Sequence, residues 1–199
     1  MKIEQFGMSG TSVTTLAGPD RFRIDTTFNG QSESAAFNGT DATIASTARG
    51  TVVLTGEEAA STRISNPMAR YGDWHHWYDE LNVIQRLERN GQAIYLVRTG
   101  DASAPAQTLY VSEDGQLARI DSLTHTSGMG RIGQRITFGD FRDVRGMLFP
   151  FRLRIEIMNP TVGPILIEAT VDDVEHDVDI PDGFFELKNQ DNTDEDDAS

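Results

Sequence analysis

The chain has 199 residues, and its 17 Lys and Arg against 31 Asp and Glu give a net charge of −14 at pH 7. Such an acidic chain is a poor candidate for binding nucleic acid or anionic lipid headgroups, because both need basic residues on the protein. It contains no cysteine, which excludes disulfides, thiolate catalysis and cysteine-ligated zinc, and no apolar run approaches the roughly 20 residues of a membrane-spanning helix.

The first part of the sequence alternates apolar and polar residues with a period of two, which predicts β-strands with one apolar face. The stretch DRFRIDTTF places Phe22, Ile24 and Phe28 on one side of a strand. Asn29-Gly30 and Asn38-Gly39 are turn signals, and the short runs DATIAST and GTVVLTG predict two further strands.

Helical signals are few and lie between these strands and the second half. GEEAASTRIS, residues 56–65, has acids near its start and alanines after them, as a short helix would. GDWHHWYDELN predicts a second short helix with Asp73 as its N-cap. One face of that helix would carry four apolar side chains: Trp74, Trp77, Tyr78 and Leu81.

The second half of the sequence predicts three hairpins and a last strand. Asn90-Gly91, Asp114-Gly115 and Arg145-Gly146 each separate two strand-like runs, and Asn-Gly is the dipeptide best suited to a type I′ turn. Pro150 cannot donate to a strand ladder, so we expect it at a strand start. GPILIEATVDDVEHDV, residues 163–178, predicts the last long strand.

The predicted fold is α+β and mainly β, with about ten antiparallel strands and two short helices. A sheet of that size must curl, and its helices either fill the concave face or only roof it and leave an apolar cavity. We expect one domain over residues 1–190 and a disordered acidic tail over residues 191–199. The residues expected to line a cavity are Phe22, Ile24, Phe28, Trp74, Trp77, Ile136, Phe138, Phe149, Phe151, Leu153, Ile165 and Ile167.

Three stretches of the second half resemble a known protein family. They are TLYVSEDGQLARID, ITFGDFRDVRGMLFPFRLRI and VDDVEHDVDIPDGFFEL, which are similar to successive units of the lipoprotein-carrier-like (LolA/LolB-like) superfamily. The likeness covers residues 84–187, and residues 6–55 match by pattern. It implies a strongly curved, open antiparallel half-barrel with a short helical lid over an apolar cavity. The family normally opens with a helix, whereas this chain starts almost directly on a strand.

The resemblance also implies a function. Members of the family are non-enzymatic proteins of the bacterial envelope that carry the acyl chains of lipoproteins, bind other lipids or sense envelope state. We therefore expect a periplasmic or otherwise extracytoplasmic protein, with its leader absent from this chain and an acyl chain, lipid or lipoprotein as ligand. The alternative is a structural or interaction module of a larger envelope protein, with a core filled by its own side chains. The family's functional arginine is assigned to neither Arg21 nor Arg23.

The remaining polar motifs favour neither catalysis nor a cofactor. GMGRIG, residues 128–133, has the spacing of a nucleotide-binding loop, but a strand pattern follows it where a helix is needed. His75 and His76 would point about 100° apart on a helix, so they do not converge on one metal ion. The acids of residues 172–182 alternate with valines and do not match a calcium loop. We therefore expect no enzyme activity, no cofactor and no metal site.

Overall fold

The structure is a computed structural model. It describes residues 1–187 except for residues 19, 49, 66–73, 101–104 and 127–129, and it gives only the backbone of residues 124–126 and 130. The acidic tail expected over residues 191–199 lies outside the described residues, as do Asp73 and part of the GMGRIG stretch.

Within the described residues, thirteen strands form one antiparallel sheet. The first six are β1 (Lys2–Ile3), β2 (Met8–Ala17), β3 (Arg21–Phe28), β4 (Gln31–Asn38), β5 (Ala42–Ser46) and β6 (Gly50–Val53). The helices are a 3-10 turn after β1 (Glu4–Phe6), α1 (Gly56–Ile64) and α2 (Trp74–Trp77). The remaining strands are β7 (Glu80–Arg89), β8 (Gln92–Gly100), β9 (Thr108–Ser112), β10 (Leu117–Thr126), β11 (Gly130–Val144), β12 (Met147–Asn159) and β13 (Gly163–Thr170).

The sheet consists of two meanders that meet near its centre. From β1 the chain runs outward strand by strand to β6 at one edge, and the helical segment then leads to β7 at the opposite edge. From β7 the chain returns strand by strand to β13, which pairs with β1 through Glu168 and Lys2. The predicted antiparallel sheet is confirmed, with more strands than the sequence pattern indicates.

The hairpin turns form at the dipeptides that the sequence predicts. Asn90 and Gly91 have φ angles of 55° and 78°, as in a type I′ turn, whose twist matches that of the flanking strands. Asn29-Gly30 and Arg145-Gly146 also have positive φ at both residues. These turns fix the strand register, and a one-residue slip would move every apolar side chain to the opposite face.

The sheet is strongly curved, as the contacts of α1 show. α1 touches β4 and β5 in the first meander and β10 in the second. β4 and β10 are seven strand-to-strand steps apart in the sheet, which corresponds to about 34 Å across a flat sheet. A helix of nine residues is only about 14 Å long, so the sheet must bend around it. The face that contacts α1 is therefore the concave, inner face.

Both predicted helices are present. α1 agrees with the expectation for residues 56–65, whereas α2 is a single turn of four residues. Among the described residues, no helix has the length and apolar character needed to cross a membrane. The apolar side chains predicted to share one face of the second helix pack into one cluster: Trp74, Trp77, Tyr78 and Leu81.

The prediction of a strand that continues to residue 178 is wrong. β13 ends at Thr170, and residues 171–187, named here the closing segment, contain no helix or strand. The Val171 amide still donates to the Phe151 carbonyl of β12 at 2.9 Å. The segment then leaves the sheet ladder, and residues further along it contact β3 of the first meander.

The closing segment crosses to the outer face of the first meander. Arg23 lies on that face because it alternates with the inward-facing apolar residues of β3. Its guanidinium donates to the Phe184 carbonyl at 3.1 Å and lies 4.8 Å from the centre of the Phe184 ring. Phe185 is buried, and Arg21 lies 5.6 Å from the centre of its ring. The end of the described chain thus packs against the outer face of β3.

Pro150 lies near the start of β12, as expected. It pairs with Phe141 of β11, and the pairing of β12 with β13 begins only at Arg152. This position agrees with the restriction of proline to places where a strand has a free edge.

Candidate functional site

A row of aliphatic side chains crosses the inner face of the second meander. Strand pairing brings these side chains side by side, and residues paired across antiparallel strands share one face of the sheet. From β8 to β13 the row consists of Val97, Leu109, Ile120, Ile136, Ile155 and Ile167.

Burial decreases along this row toward the centre of the sheet. Leu109, Ile120 and Ile136 are 1%, 4% and 5% exposed, and side chains from both helices pack in the same cluster. Ile155 and Ile167 are only half-buried, although they continue the row. The helices therefore cover the side of the inner face near β8–β11 more completely than its centre.

The buried end of the row belongs to the larger of two apolar clusters. α1 contributes Ile64 to it, and the α2 region contributes Trp77, whose ring has the Arg63 guanidinium 5.6 Å from its centre. Full burial of side chains of this size stabilises a fold by about 1.5–3 kcal/mol each. The larger cluster consists of Ile64, Trp77, Tyr78, Val97, Leu109, Leu117, Ile120, Ile136 and Phe138.

The smaller cluster lies on the inner face of the first meander. Its buried members are Phe22, Phe37 and Ala42, and the two phenylalanine rings are 6.4 Å apart. Ala59 of α1 packs against this cluster, whereas Ile64 at the end of the same helix belongs to the larger one. α1 therefore spans the interior from one cluster to the other.

Between the two clusters lies a strip of half-buried isoleucines on β12 and β13. Ile155 pairs with Ile167, and Ile157 pairs with Ile165, so these four side chains share the inner face and are named here the central strip. Ile155 also packs against the larger cluster. Among the described residues, the other three belong to neither cluster. The central strip is therefore aliphatic inner-face surface that neither cluster buries completely.

The structure distributes the proposed lining residues over four places. The larger cluster or its border holds Trp74, Trp77, Ile136, Phe138 and Leu153. The smaller cluster or its border holds Phe22 and Ile24. The half-buried positions outside both clusters include Phe28, Ile165 and Ile167. The start of β12 holds Phe149 and Phe151.

Phe149 and Phe151 have polar partners at one end of the sheet. Phe151 is buried, and the Arg142 guanidinium lies 4.3 Å from the centre of its ring. Phe149 meets the His176 ring of the closing segment nearly at right angles, with the ring centres 6.4 Å apart. Both residues therefore lie toward the start of β12, with Leu153 between them and the central strip.

Buried polar groups interrupt the apolar interior in two places. The Tyr78 hydroxyl donates to Oε1 of Gln107 at 2.8 Å. The backbone N–H of Gln107 donates to the Thr99 hydroxyl at 2.9 Å, so these groups are satisfied. Ser61 of α1 is also buried, but its hydroxyl has no hydrogen-bond partner in the described part of the chain. An unpaired buried hydroxyl costs about 1–3 kcal/mol, which makes Ser61 an exception that requires an explanation.

The outer face of the second meander carries paired charges. Asp121 accepts hydrogen bonds from Arg119 and Arg135, and Arg135 also pairs with Glu156 at 3.4 Å. Burial acts to raise the pKa of Asp121, but the two arginines outweigh it and hold that pKa below its usual value. The second meander thus has a mainly aliphatic inner face and a charged outer face.

The histidine and arginine motifs have structural roles. Nε2 of His76 lies 2.9 Å from Oδ1 of Asp20, which links α2 to the turn between β2 and β3. In the described ranges, no group of three or more His, Asp or Glu side chains is arranged to hold a metal ion. Arg21 and Arg23 lie on the outer face against the closing segment, so neither lines the interior.

The similarity of this protein to known proteins is structural. No protein-family model matches the sequence, and no curated protein matches it either. A domain assigned as an outer membrane lipoprotein-sorting protein, from Vibrio parahaemolyticus, has a TM-score of 0.55 at 10% identity and covers 89% of this chain and 80% of that one. A DUF1329 family protein from Desulfovibrio piger has a TM-score of 0.51 at 14% identity and covers 89% and 81%. The fold is LolA-like.

A LolA superfamily protein from Nitrosomonas europaea is similar as well, with 14% identity, a TM-score of 0.49 and coverage of 89% of this chain and 88% of that one. At these identities the likeness concerns the fold. The curved sheet that the sequence resemblance implies is confirmed by the contacts of α1 with both meanders and agrees with the two structures at TM-scores of 0.55 and 0.51.

Sequence reasoning missed the unpaired hydroxyl of Ser61 and the path of the closing segment off the sheet in this LolA-like structure. Ser61 stands in a run of small and polar residues, and its only signal is its spacing from Glu57 and Ile64, which places all three on one helix face. The closing segment has a clearer signal, because Phe184 and Phe185 are adjacent and cannot both face the same side of a strand.

Proposed function

We propose that this LolA-like protein is a non-enzymatic protein of the bacterial envelope that holds an acyl chain, lipid or lipoprotein in its interior. The observation that carries the proposal is the central strip, where aliphatic side chains on two adjacent strands stay half-buried inside a curved sheet. A concave, mainly apolar surface suits a hydrocarbon chain, because burial of apolar area is the main source of such binding.

The proposed place of work is the periplasm or another extracytoplasmic compartment. The fold neighbour from Vibrio parahaemolyticus is assigned to outer membrane lipoprotein sorting, which supports this location. The net charge of −14 opposes binding to the anionic surface of a membrane. Recognition of a lipid would therefore depend on its acyl chain in the interior and not on its headgroup.

The test uses the two tryptophans of the chain, both in α2: Trp77 belongs to the larger cluster, and Trp74 packs against it. Delipidated protein is titrated with dibromostearic acid, whose bromine atoms quench tryptophan fluorescence only at short range. We expect saturable quenching, and we expect unbrominated oleic acid to compete without quenching. Absence of saturable quenching, together with failure of oleic acid to displace a fluorescent fatty-acid probe, would refute the proposal.

A second candidate is a structural or interaction module with a self-filled core. It is favoured by the near-complete burial of Phe22 and Leu109, which shows that parts of the interior are tightly packed. In that case the central strip is covered by the protein's own side chains or by a partner domain, and fatty-acid probes do not bind. Tryptophan substitution of Ile165 in the central strip distinguishes the two candidates.

A further inference from the structure

Three hydroxyl side chains near the end of α1 differ in their hydrogen bonding. The Thr62 hydroxyl donates to the Glu58 carbonyl at 3.0 Å, and the Ser65 hydroxyl donates to the Ser61 carbonyl at 2.8 Å. Both are the usual bonds of such residues to the carbonyl one turn earlier in a helix. Within the described structure the Ser61 hydroxyl makes no such bond, although it is the most deeply buried of the three.

Ser61 lies along α1 between the residues that pack against the two clusters. Two residues before it, Ala59 packs against the smaller cluster, and three residues after it, Ile64 enters the larger one. The strands that separate these clusters in the sheet include β12 and β13, which carry the central strip. Ser61 is 5% exposed, so its unpaired hydroxyl lies away from solvent.

The helix face that carries Ser61 changes from charged to apolar along its length. Glu57, Ser61 and Ile64 are spaced as neighbours on one face, about one helical turn or 5–6 Å apart. Glu57 accepts two hydrogen bonds from Arg131, at 2.8 and 3.1 Å, and the Arg131 side chain is exposed. From solvent inward, the order is thus an ion pair, an unpaired hydroxyl and an apolar cluster.

We infer that the Ser61 hydroxyl donates a hydrogen bond to the carbonyl oxygen of an ester- or amide-linked acyl chain in the interior. The inference rests on the proposed function and adds a class of ligand to it. An acyl carbonyl is an acceptor joined directly to a hydrocarbon chain, so it places an acceptor beside apolar surface without a net charge. A free carboxylate suits the site less well, because a buried charge needs a cation and the nearby Arg131 is already paired with Glu57.

The test compares two lipids that differ at one position. 1-Oleoylglycerol and 1-O-oleylglycerol have the same headgroup and an 18-carbon chain, but only the first has a carbonyl. Displacement of a fluorescent fatty-acid probe gives the affinity of each. We expect wild-type protein to bind the ester about 2- to 12-fold more tightly than the ether, as one net hydrogen bond allows.

Variants of α1 assign the preference to one hydroxyl. Ser61→Ala should bind both lipids with the affinity that wild type shows for the ether. Thr62→Val is the matched control, because its hydroxyl already bonds to its own helix, and it should keep the wild-type preference. Thermal unfolding checks that both variants fold, and Ser61→Ala should not be less stable, because it removes an unpaired polar group.

The outcomes separate this inference from the proposed function. If both lipids displace the probe equally from wild type, or if Ser61→Ala keeps the preference for the ester, the inference is wrong and lipid binding stands. If neither lipid displaces the probe and no fatty acid binds, the proposed function fails and the inference fails with it.

Discussion

Replacement of Ile165 by tryptophan distinguishes an open interior from a filled one. Ile165 belongs to the central strip and pairs with Ile157 of β12. If the interior is packed to native density, the larger side chain forces its neighbours from their rotamers and costs about 1–3 kcal/mol. If the interior has room for a hydrocarbon chain, the indole occupies that room, and stability changes by less than about 0.5 kcal/mol.

Thermal unfolding and lipid binding measure the two effects separately. In a chain of this size each kcal/mol changes Tm by about 2–4 °C, so a filled interior predicts a fall of about 2–12 °C. We expect a fall of less than about 2 °C, together with loss of fatty-acid binding. The control is Leu166→Trp, which adds the same bulk on the outer face opposite Glu156 and should leave binding unchanged. A clear fall in Tm with wild-type binding would contradict our reasoning and favour the self-filled module.

Three further predictions concern the frame around the interior. Phe185→Ala should cost about 3 kcal/mol in denaturant unfolding, because the ring is buried between the closing segment and the outer face of β3, and the same change at the less buried Phe184 should cost less. Gly10→Ala would place its Cβ 2.1 Å from the Thr27 carbonyl oxygen, so we expect clear destabilisation in the same assay, and an unchanged midpoint would argue against this close pairing of β2 and β3. Asp121→Asn should reduce the acid sensitivity of stability. The pKa of Asp121 is depressed in the folded protein, so its contribution is complete above the usual value of 3.8 and is lost as pH falls through the folded value. Equal loss of stability in both proteins below pH 3.8 would contradict this.

The features that the sequence predicts correctly are local. The Asn90-Gly91 turn depends on two residues that tolerate positive φ, and the flanking alternation fixes which side chains share a face. α1 and the apolar face of α2 follow from patterns within one or two turns. Each of these predictions needs only neighbours in the chain, so short windows of sequence contain the necessary information.

The features that the sequence does not predict depend on distant parts of the chain. Lys2 pairs with Glu168, and nothing in either short stretch identifies the other as its partner. Arg21 and Arg23 alternate with apolar residues, which indicates a solvated face, yet that face is covered by phenylalanines from the closing segment. The fold class follows from local periodicity, whereas the order of strands and the path of the chain end do not.

The location of the central strip follows from this order of strands. A helix about 10 Å wide covers roughly two strands of a sheet, and the described helices are short, so they cannot cover thirteen strands. Both helices belong to the connection between the two edges. The buried strand residues of the two clusters lie on β3–β5 and β8–β11, and half-buried residues of β2 and β12 pack at their borders. The strands between these regions include β12 and β13, where the two meanders close the sheet. The central strip, half-buried between the two clusters, therefore lies next to the join of the two meanders.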